Sequence, residues 1–243
     1  MHRDLHAVTF DCWGTLIYEP KREQGALARR EIFRKCLQQH GVEVTEERAS
    51  DALREVWLRH WREWQAGISS DATDMAGWGL EAFGIHERAA VERLGCELAE
   101  ASLEQEVRAL DGARETLEQL ARREIRRALI CDTGYSPGRV VRQLLQREGL
   151  LEFLEVLIFS NEAGVPKPNP RIFQAALDPL GVGPEQALHV GDLRRSDIAG
   201  AHGMGMRSVR IRWQNDDTSD LPDAHAVVDS HAQLRELLHL DGS

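Results

Sequence analysis

The sequence predicts an α/β protein, a doubly wound parallel sheet into which an all-α domain is inserted. Three observations carry this expectation. Short apolar, β-prone runs alternate with amphipathic helical patterns through residues 111–243, the alternation that builds a parallel sheet covered on both faces. Between Ile17 and about Leu110 the strand pattern disappears and helix signals replace it. Several apolar runs also end in a residue able to do chemistry, and open α/β sheets bind their ligands at the carboxyl ends of the strands.

The first run, Val8-Thr9-Phe10, ends in Asp11 and passes through Cys12 and Trp13 into Gly14, Thr15 and Leu16. It reads as a buried parallel strand whose end presents a carboxylate. Gly14 lets the backbone turn sharply and bring N–H groups near a bound anion, and Thr15 adds a hydroxyl donor. Residues 23–40 then carry Leu27, Ile32, Phe33, Cys36 and Leu37 at helical spacing before Gly41, a helix with a glycine stop. Thr45, followed by Glu46 and Glu47, caps a second helix that runs to about Ala66. On it Trp57, Trp61 and Trp64 share one face, which reads as packing between helices, with a lid over a substrate pocket as the alternative. Residues 67–74 read as a loop, with Trp78 in an equally flexible setting between Gly77 and Gly79. A last helix is expected from about His86 to Ala109. The expected division is a core of residues 1–16 and 111–243 and a helical insertion of residues 17–110.

The remainder alternates. A helix over residues 111–123 leads to a strand at Ala128-Leu129-Ile130-Cys131, which ends in Asp132-Thr133-Gly134. A helix over 137–148 leads to a strand at Val156-Leu157-Ile158-Phe159 and a long loop containing Lys167 between Pro166 and Pro168. A helix over 171–180 leads to Ala187-Leu188-His189-Val190, which ends in Gly191-Asp192 and continues through Asp197 into a short helix. Two short strands at 208–212 and 226–228 and a helix over 231–238 complete the chain. Right-handed crossovers place all the strand carboxyl ends on one edge, so Asp11, Thr133, Lys167 and Asp192 can reach one crevice.

Composition narrows the partners. With 42% hydrophobic and 29% charged residues the chain is an ordinary globular protein. Its formal charge of −10 argues against nucleic-acid and anionic-membrane binding, which rely on basic surface. A small anionic substrate is compatible with that charge, because a metal or a lysine reverses the sign locally. Cys12, Cys36, Cys96 and Cys131 lack metal-ligand spacing and read as reduced thiols of a cytoplasmic protein. The first residues are too polar for a signal peptide, and no run approaches membrane-spanning length. A monomer and a homodimer are both compatible with the sequence.

The four motifs, in order along nearly the whole chain, resemble those of the haloacid dehalogenase-like hydrolase superfamily. Phe10-Asp11-Cys12-Trp13-Gly14-Thr15-Leu16 matches the first, Thr133 or alternatively Cys131 the second, Lys167 in Gly164-Val165-Pro166-Lys167-Pro168 the third, and Gly191-Asp192 with Asp197 the fourth. The resemblance implies a Rossmann-like core with a helical cap, and Asp11 as a nucleophile forming an aspartyl-phosphate. It implies Mg²⁺ held by Asp11, Asp192 and the carbonyl of Trp13, with Asp197 ligating through water or orienting its loop. Thr133, Gly134 and Lys167, with Gly14 and Thr15, would hold the phosphoryl oxygens.

One residue departs from the pattern. Phosphatases of the superfamily usually carry an aspartate two residues after the nucleophile, as general acid and base, where this chain has Trp13. An indole donates one hydrogen bond and does not titrate in the useful range. A leaving group that needs no proton, or a proton from an insertion residue such as His60, would compensate. So would halide displacement, and the haloacid dehalogenases carry a tyrosine at this position. The leading expectation is a Mg²⁺-dependent hydrolase of a small phosphorylated metabolite. The alternatives are a metal-independent 2-haloacid dehalogenase and a low-turnover binding or regulatory protein.

Overall fold

The computed structural model describes residues 5–213 and 216–240. The first apolar run forms β1 (Ala7–Phe10), all four residues of which are buried. A tight turn follows, in which the Leu16 and Ile17 amides both donate to the Cys12 carbonyl, and leads into β2 (Ile17–Tyr18). Four helices come next: α1 (Arg22–Gln39), α2 (Glu46–Gln65), α3 (Ala72–Glu81) and α4 (Arg88–Glu100), with a 3₁₀ turn at Ala101–Glu104. The chain returns through β3 (Arg108–Ala109), which pairs antiparallel with β2. Then come α5 (Ala113–Arg122), β4 (Arg126–Cys131), α6 (Gly138–Arg147), β5 (Val156–Phe159), α7 (Ser160–Ala163) and α8 (Pro170–Leu180). Finally β6 (Ala187–Gly191), α9 (Ala199–Gly203), β7 (Arg207–Ile211), β8 (Ala226–Val228) and α10 (His231–Leu237) close the chain.

Six strands form one parallel sheet in the order β5-β4-β1-β6-β7-β8. The fold is therefore the α/β, doubly wound class that the alternation predicts. β1 lies between β4 and β6, so its carboxyl end sits where the strand order reverses, the position at which such sheets bind ligands. One face of the sheet is packed by α8, whose Ile172, Phe173, Ala176 and Leu177 bury against Ala7, Ala128 and Ile130.

The chain divides into two compact units. One consists of the chain up to Tyr18, Val107–Asp132 and the chain from Leu145 onward; the other of Glu19–Glu106 and Thr133–Leu144. The helical unit has its own core of Phe33, Leu37, Ala76, Leu80, Leu94 and Leu98. Thr45 caps α2 as its position suggests, accepting from the Arg48 amide.

Several local expectations change. The stretch expected to be loop around Trp78 is helical: Asp71 caps α3 in a capping box with Asp74, and Met75, Ala76 and Leu80 supply a buried face. Gly79, in the stretch that read as flexible, is a position of close packing, since a Cβ there would lie 3.0 Å from the Phe33 ring. The last insertion helix ends at Glu100, and Arg108–Ala109 is strand. Of the tryptophan face only Trp64 is core, whereas Trp57 and Trp61 are 45% and 41% exposed. Residues 160–163, expected as loop, form the one-turn α7.

His231 opens α10 and is buried. Its Nε2 lies 2.8 Å from the Thr15 carbonyl and its Nδ1 3.2 Å from the Thr116 hydroxyl, so it ties the turn after β1 to the helices beneath. Burial brings its pKa down to about 4, the Thr15 carbonyl opposing. The unfolded chain then binds the extra proton between about pH 6.5 and 4, so stability falls as pH falls through that window. His231→Gln is expected to remove up to about 3 kcal/mol of this pH dependence, read by urea unfolding of both proteins from pH 7 to 4. Parallel profiles would show that His231 is not the group responsible.

Candidate functional site

The adjacent carboxyl ends of the parallel strands β1 and β6 bring three carboxylates and an ammonium together. Asp11 follows β1 with its amide bonded to the Val190 carbonyl. Asp192 follows β6, and Asp197 lies on a π-helical turn at Arg194–Ile198. One carboxylate oxygen from each of Asp11, Asp192 and Asp197 lies within 4.8 Å of the others. Lys167, only 2% exposed, enters from the loop before α8. Its Nζ donates to Asp11 Oδ1 at 2.5 Å, Asp197 Oδ1 at 2.7 Å and the Ile130 carbonyl at 2.9 Å. Three acceptors saturate an ammonium.

Two glycines are required by this approach. Gly14 has φ +79°, and a Cβ there would sit 2.7 Å from Asp192 Oδ2. A Cβ on Gly191 would fall 2.3 Å from the Asp197 carboxyl carbon. Both positions let backbone and carboxylate meet without a side chain between them.

The charges do not balance. Burial pushes the Asp11 carboxyl up to about 7, with Lys167 opposing and Asp197 adding to the rise. Burial, then Asp11 and Asp197, hold Asp192 well above the ordinary carboxylate range. Asp197 goes the other way: burial would raise it, but Lys167 and His189 together bring it well below. Burial would lower Lys167, yet Asp11, Asp197 and Asp132 outweigh it and keep the ammonium charged. The excess of carboxylate over ammonium, with hard oxygen donors converging from two strand ends, fits a divalent cation such as Mg²⁺. Asp197 is the least available donor, since Oδ1 accepts from Lys167 and faces His189 while Oδ2 accepts from the Leu193 amide.

Trp13 stands half-buried in the turn after Asp11. Thr15 is wholly buried, its hydroxyl without a partner among the described residues, so it faces the interior. Cys131 ends β4 inside the sheet, its thiol beside Cys12 and pushed up in pKa first by that contact and then by burial. Thr133 is 5% exposed and, with Gly134, belongs to the helical unit. In that unit His60 Nδ1 lies 2.8 Å from the Ser70 hydroxyl, and Nε2 faces the Gly134 backbone, 3.1 Å from where a Cβ would stand. Burial lowers the His60 pKa, Glu63 opposing, which makes the imidazole neutral and a poor proton donor at pH 7.

Supporting residues were not evident from the motifs. Thr9 and His189 face each other across β1 and β6 with Oγ1 2.8 Å from Nδ1, and His189 Nε2 lies 3.2 Å from Asp197. Asp132 Oδ1 accepts from the Lys167 amide at 2.9 Å, fixing the lysine's backbone. The available signal was a polar residue at a fully buried position of two otherwise apolar strands.

A parallel α/β core with an acid cluster and a buried lysine at the carboxyl edge of its central strands defines a doubly wound α/β protein with its site at the strand ends. The haloacid dehalogenase-like hydrolase family model matches residues 5–205, and the chain belongs to that family. It is 46% identical over 96 residues to a glyceraldehyde 3-phosphate phosphatase of Methanopyrus kandleri, covering 35% of this chain and 40% of the relative. It is 36% identical over 135 residues to a protein of the same name from Pyrococcus furiosus, covering 54% and 55%. The aligned region thus spans about half the length of these relatives or less. A crystal structure of a haloacid dehalogenase-type phosphatase from Thermococcus onnurineus superposes with a TM-score of 0.66 at 23% identity, covering 96% of this chain and 98% of that one, and shares the fold.

Removing Lys167 leaves Asp11 and Asp197 buried without their counter-charge. Lys167→Met is expected to cost about 3–5 kcal/mol in urea unfolding at pH 7 with EDTA present, and less at pH 5, where Asp11 takes up a proton. An unchanged midpoint at pH 7 would contradict this account of the site.

Proposed function

We propose that the protein is a Mg²⁺-dependent hydrolase of a small phosphorylated metabolite, with Asp11 as nucleophile and the helical unit as its substrate-recognising cap. The observation that carries the reading is the Asp192 carboxylate converging on Asp11 beside Lys167, a second carboxylate that suits a divalent cation and that halide displacement does not require. The phosphatase names of the relatives, including a phosphoserine phosphatase of Thermus thermophilus 40% identical over 70 residues, support the substrate class.

In this reading Asp11, Asp192 and the Trp13 carbonyl would hold the metal, whose charge offsets the repulsion between carboxylate and phosphate. Asp197 acts as a positioning residue, because both its oxygens are engaged by Lys167, His189 and the loop amide. Lys167 fixes the Asp11 carboxylate and balances its charge, while Thr133, Gly134 and the turn at Gly14 hold phosphoryl oxygens. An Asp11 oxygen attacks phosphorus, the bond to the leaving oxygen breaks, and water then hydrolyses the aspartyl-phosphate to release inorganic phosphate and restore the carboxylate.

Trp13 shapes the substrate range. Without an acid at that position the leaving oxygen departs without a proton from the protein, which favours acyl and aryl phosphates over alkyl esters. Trp13→Asp is expected to raise turnover of alkyl phosphates by about 10²-fold or more while changing p-nitrophenyl phosphate turnover far less. Equal gains on both substrates would separate Trp13 from leaving-group chemistry.

The decisive experiment is a panel of phosphate esters, acyl phosphates, phosphonates and 2-haloacids with and without Mg²⁺. Phosphate release should require Mg²⁺ and disappear in Asp11→Asn. Chloride release from 2-chloropropionate in EDTA would establish the dehalogenase instead.

A further inference from the structure

The strand beside β6 carries an arginine between two buried apolar residues. Arg210 stands in β7 between Val209 and Ile211, in register with Gly191, and is 2% exposed. Burying a guanidinium is costly unless acceptors meet it, and two carboxylates do. Nε and Nη2 donate to the two oxygens of Asp223 at 2.7 and 2.9 Å, and Nη1 donates to Asp216 Oδ1 at 2.5 Å. Arg210 thereby ties the segment carrying Asp216 and Asp223 to the sheet.

That segment in turn holds the turn after β6. Asp223 Oδ2 also accepts from Arg194 Nη2 at 2.9 Å, and Arg194 Nη1 donates to the Ser219 carbonyl. Asp217 Oδ2 accepts from the Arg194 amide at 2.6 Å. The Ala224 amide donates to Asp223 Oδ1 at 2.8 Å, so Asp223 is gripped from three segments. Hydrogen bonding from Arg210 holds its carboxyl well below the ordinary range, partial burial opposing.

Arg194 lies two residues beyond Asp192. Among the described residues no side chain donates to the Asp192 carboxylate, so its place is set by its backbone. On one side that backbone is fixed by the pairing of Gly191 with Arg210. On the other it is fixed by the Leu193 amide on Asp197 and by the contacts of Arg194. All these residues belong to the sheet-bearing unit.

We infer that Asp223 is a positioning residue for the metal site, which through Arg194 holds the turn that aims Asp192 at Asp11. The inference rests on the Mg²⁺-dependent reading. Arg210 supplies the anchor because it is part of the sheet, and Asp223 passes that anchorage to Arg194. Removing an outer partner of this kind typically costs about 10–100-fold in metal affinity.

The test reads metal affinity without turnover. Mn²⁺, a hard cation that suits the same oxygen ligands as Mg²⁺, is titrated into the full chain and its free fraction followed by electron paramagnetic resonance. Asp223→Ala and Arg194→Met should each raise the Mn²⁺ Kd about tenfold. The double variant should bind no more weakly than either single one, as expected of two groups that act through one contact. Asp216→Asn should leave Kd unchanged, since Asp216 pairs with Arg210 and Arg212 and, among the described residues, not with Arg194. Asp223→Asn keeps the shape of the side chain without its charge; it should give an intermediate Kd, and it preserves the test if Asp223→Ala does not fold. An unchanged Kd in the folded Asp223 variants, additive losses in the double variant, or an equal loss in Asp216→Asn would overturn the positioning role while leaving the metal reading intact. Asp192→Asn separates the two readings: if it binds Mn²⁺ as tightly as the unaltered chain, or if the unaltered chain binds none, both fall.

Discussion

The ammonium of Lys167 is the contact on which the site depends. It is almost completely removed from water and gives one proton to each of Asp11, Asp197 and the Ile130 carbonyl, so its charge is tolerated only because three acceptors from three segments are in place. The dependence is mutual. Asp11 is raised to about 7 even with Lys167 beside it, and Asp197 is held ionised by Lys167 and His189 against its burial. The ends of β1 and β4 and the turn after β6 are therefore bound to one side chain that is itself anchored by Asp132.

The network extends beneath the site into the sheet. Thr9 orients His189, His189 meets Asp197, and Asp197 caps its own turn through the Leu193 amide. On the other side of Asp11, His231 holds the Thr15 carbonyl. These contacts fix the backbone around Asp11 from two directions, and pre-organisation of this kind lets a carboxylate act without first being reoriented. Lys167 has no donor left over, so in the proposed reaction its contribution is charge and alignment, and the phosphoryl oxygens depend on backbone N–H groups and Thr133.

Much of this was legible in the sequence, for physical reasons. A parallel strand buried on both faces must be almost wholly apolar, so β1, β4, β5 and β6 stood out, and a polar residue just past each strand end fell on the functional edge by topology alone. The motifs located Asp11, Lys167, Asp192 and Asp197. The helical unit was harder to read, because local rules and packing disagree there. Gly77 and Gly79 have poor helix propensity, yet α3 forms because Asp71 and Asp74 cap it and Phe33 needs the space a side chain at Gly79 would take. Trp57 and Trp61 share the helical spacing of core residues, and spacing alone says nothing about what lies opposite. Thr9 and His231 were hard to recognise because their partners are 180 and 216 residues away, and His189 showed only as a polar residue in an otherwise apolar strand.

Trp13 separates two properties that the motif usually joins. Holding a metal at that position asks only for a backbone carbonyl, which any residue supplies, whereas giving a proton to a leaving group asks for a titratable side chain. In the proposed reaction an indole at that position would leave the acidic cluster and the lysine in place and alter the fate of the leaving oxygen. In that reaction His60 would be a poor substitute donor, because its Nδ1 is engaged by Ser70 and burial lowers its pKa. A loss of about 10²–10⁴ in rate on poor leaving groups is tolerable only where the leaving group is good or where binding energy from elsewhere on the substrate aligns it for attack.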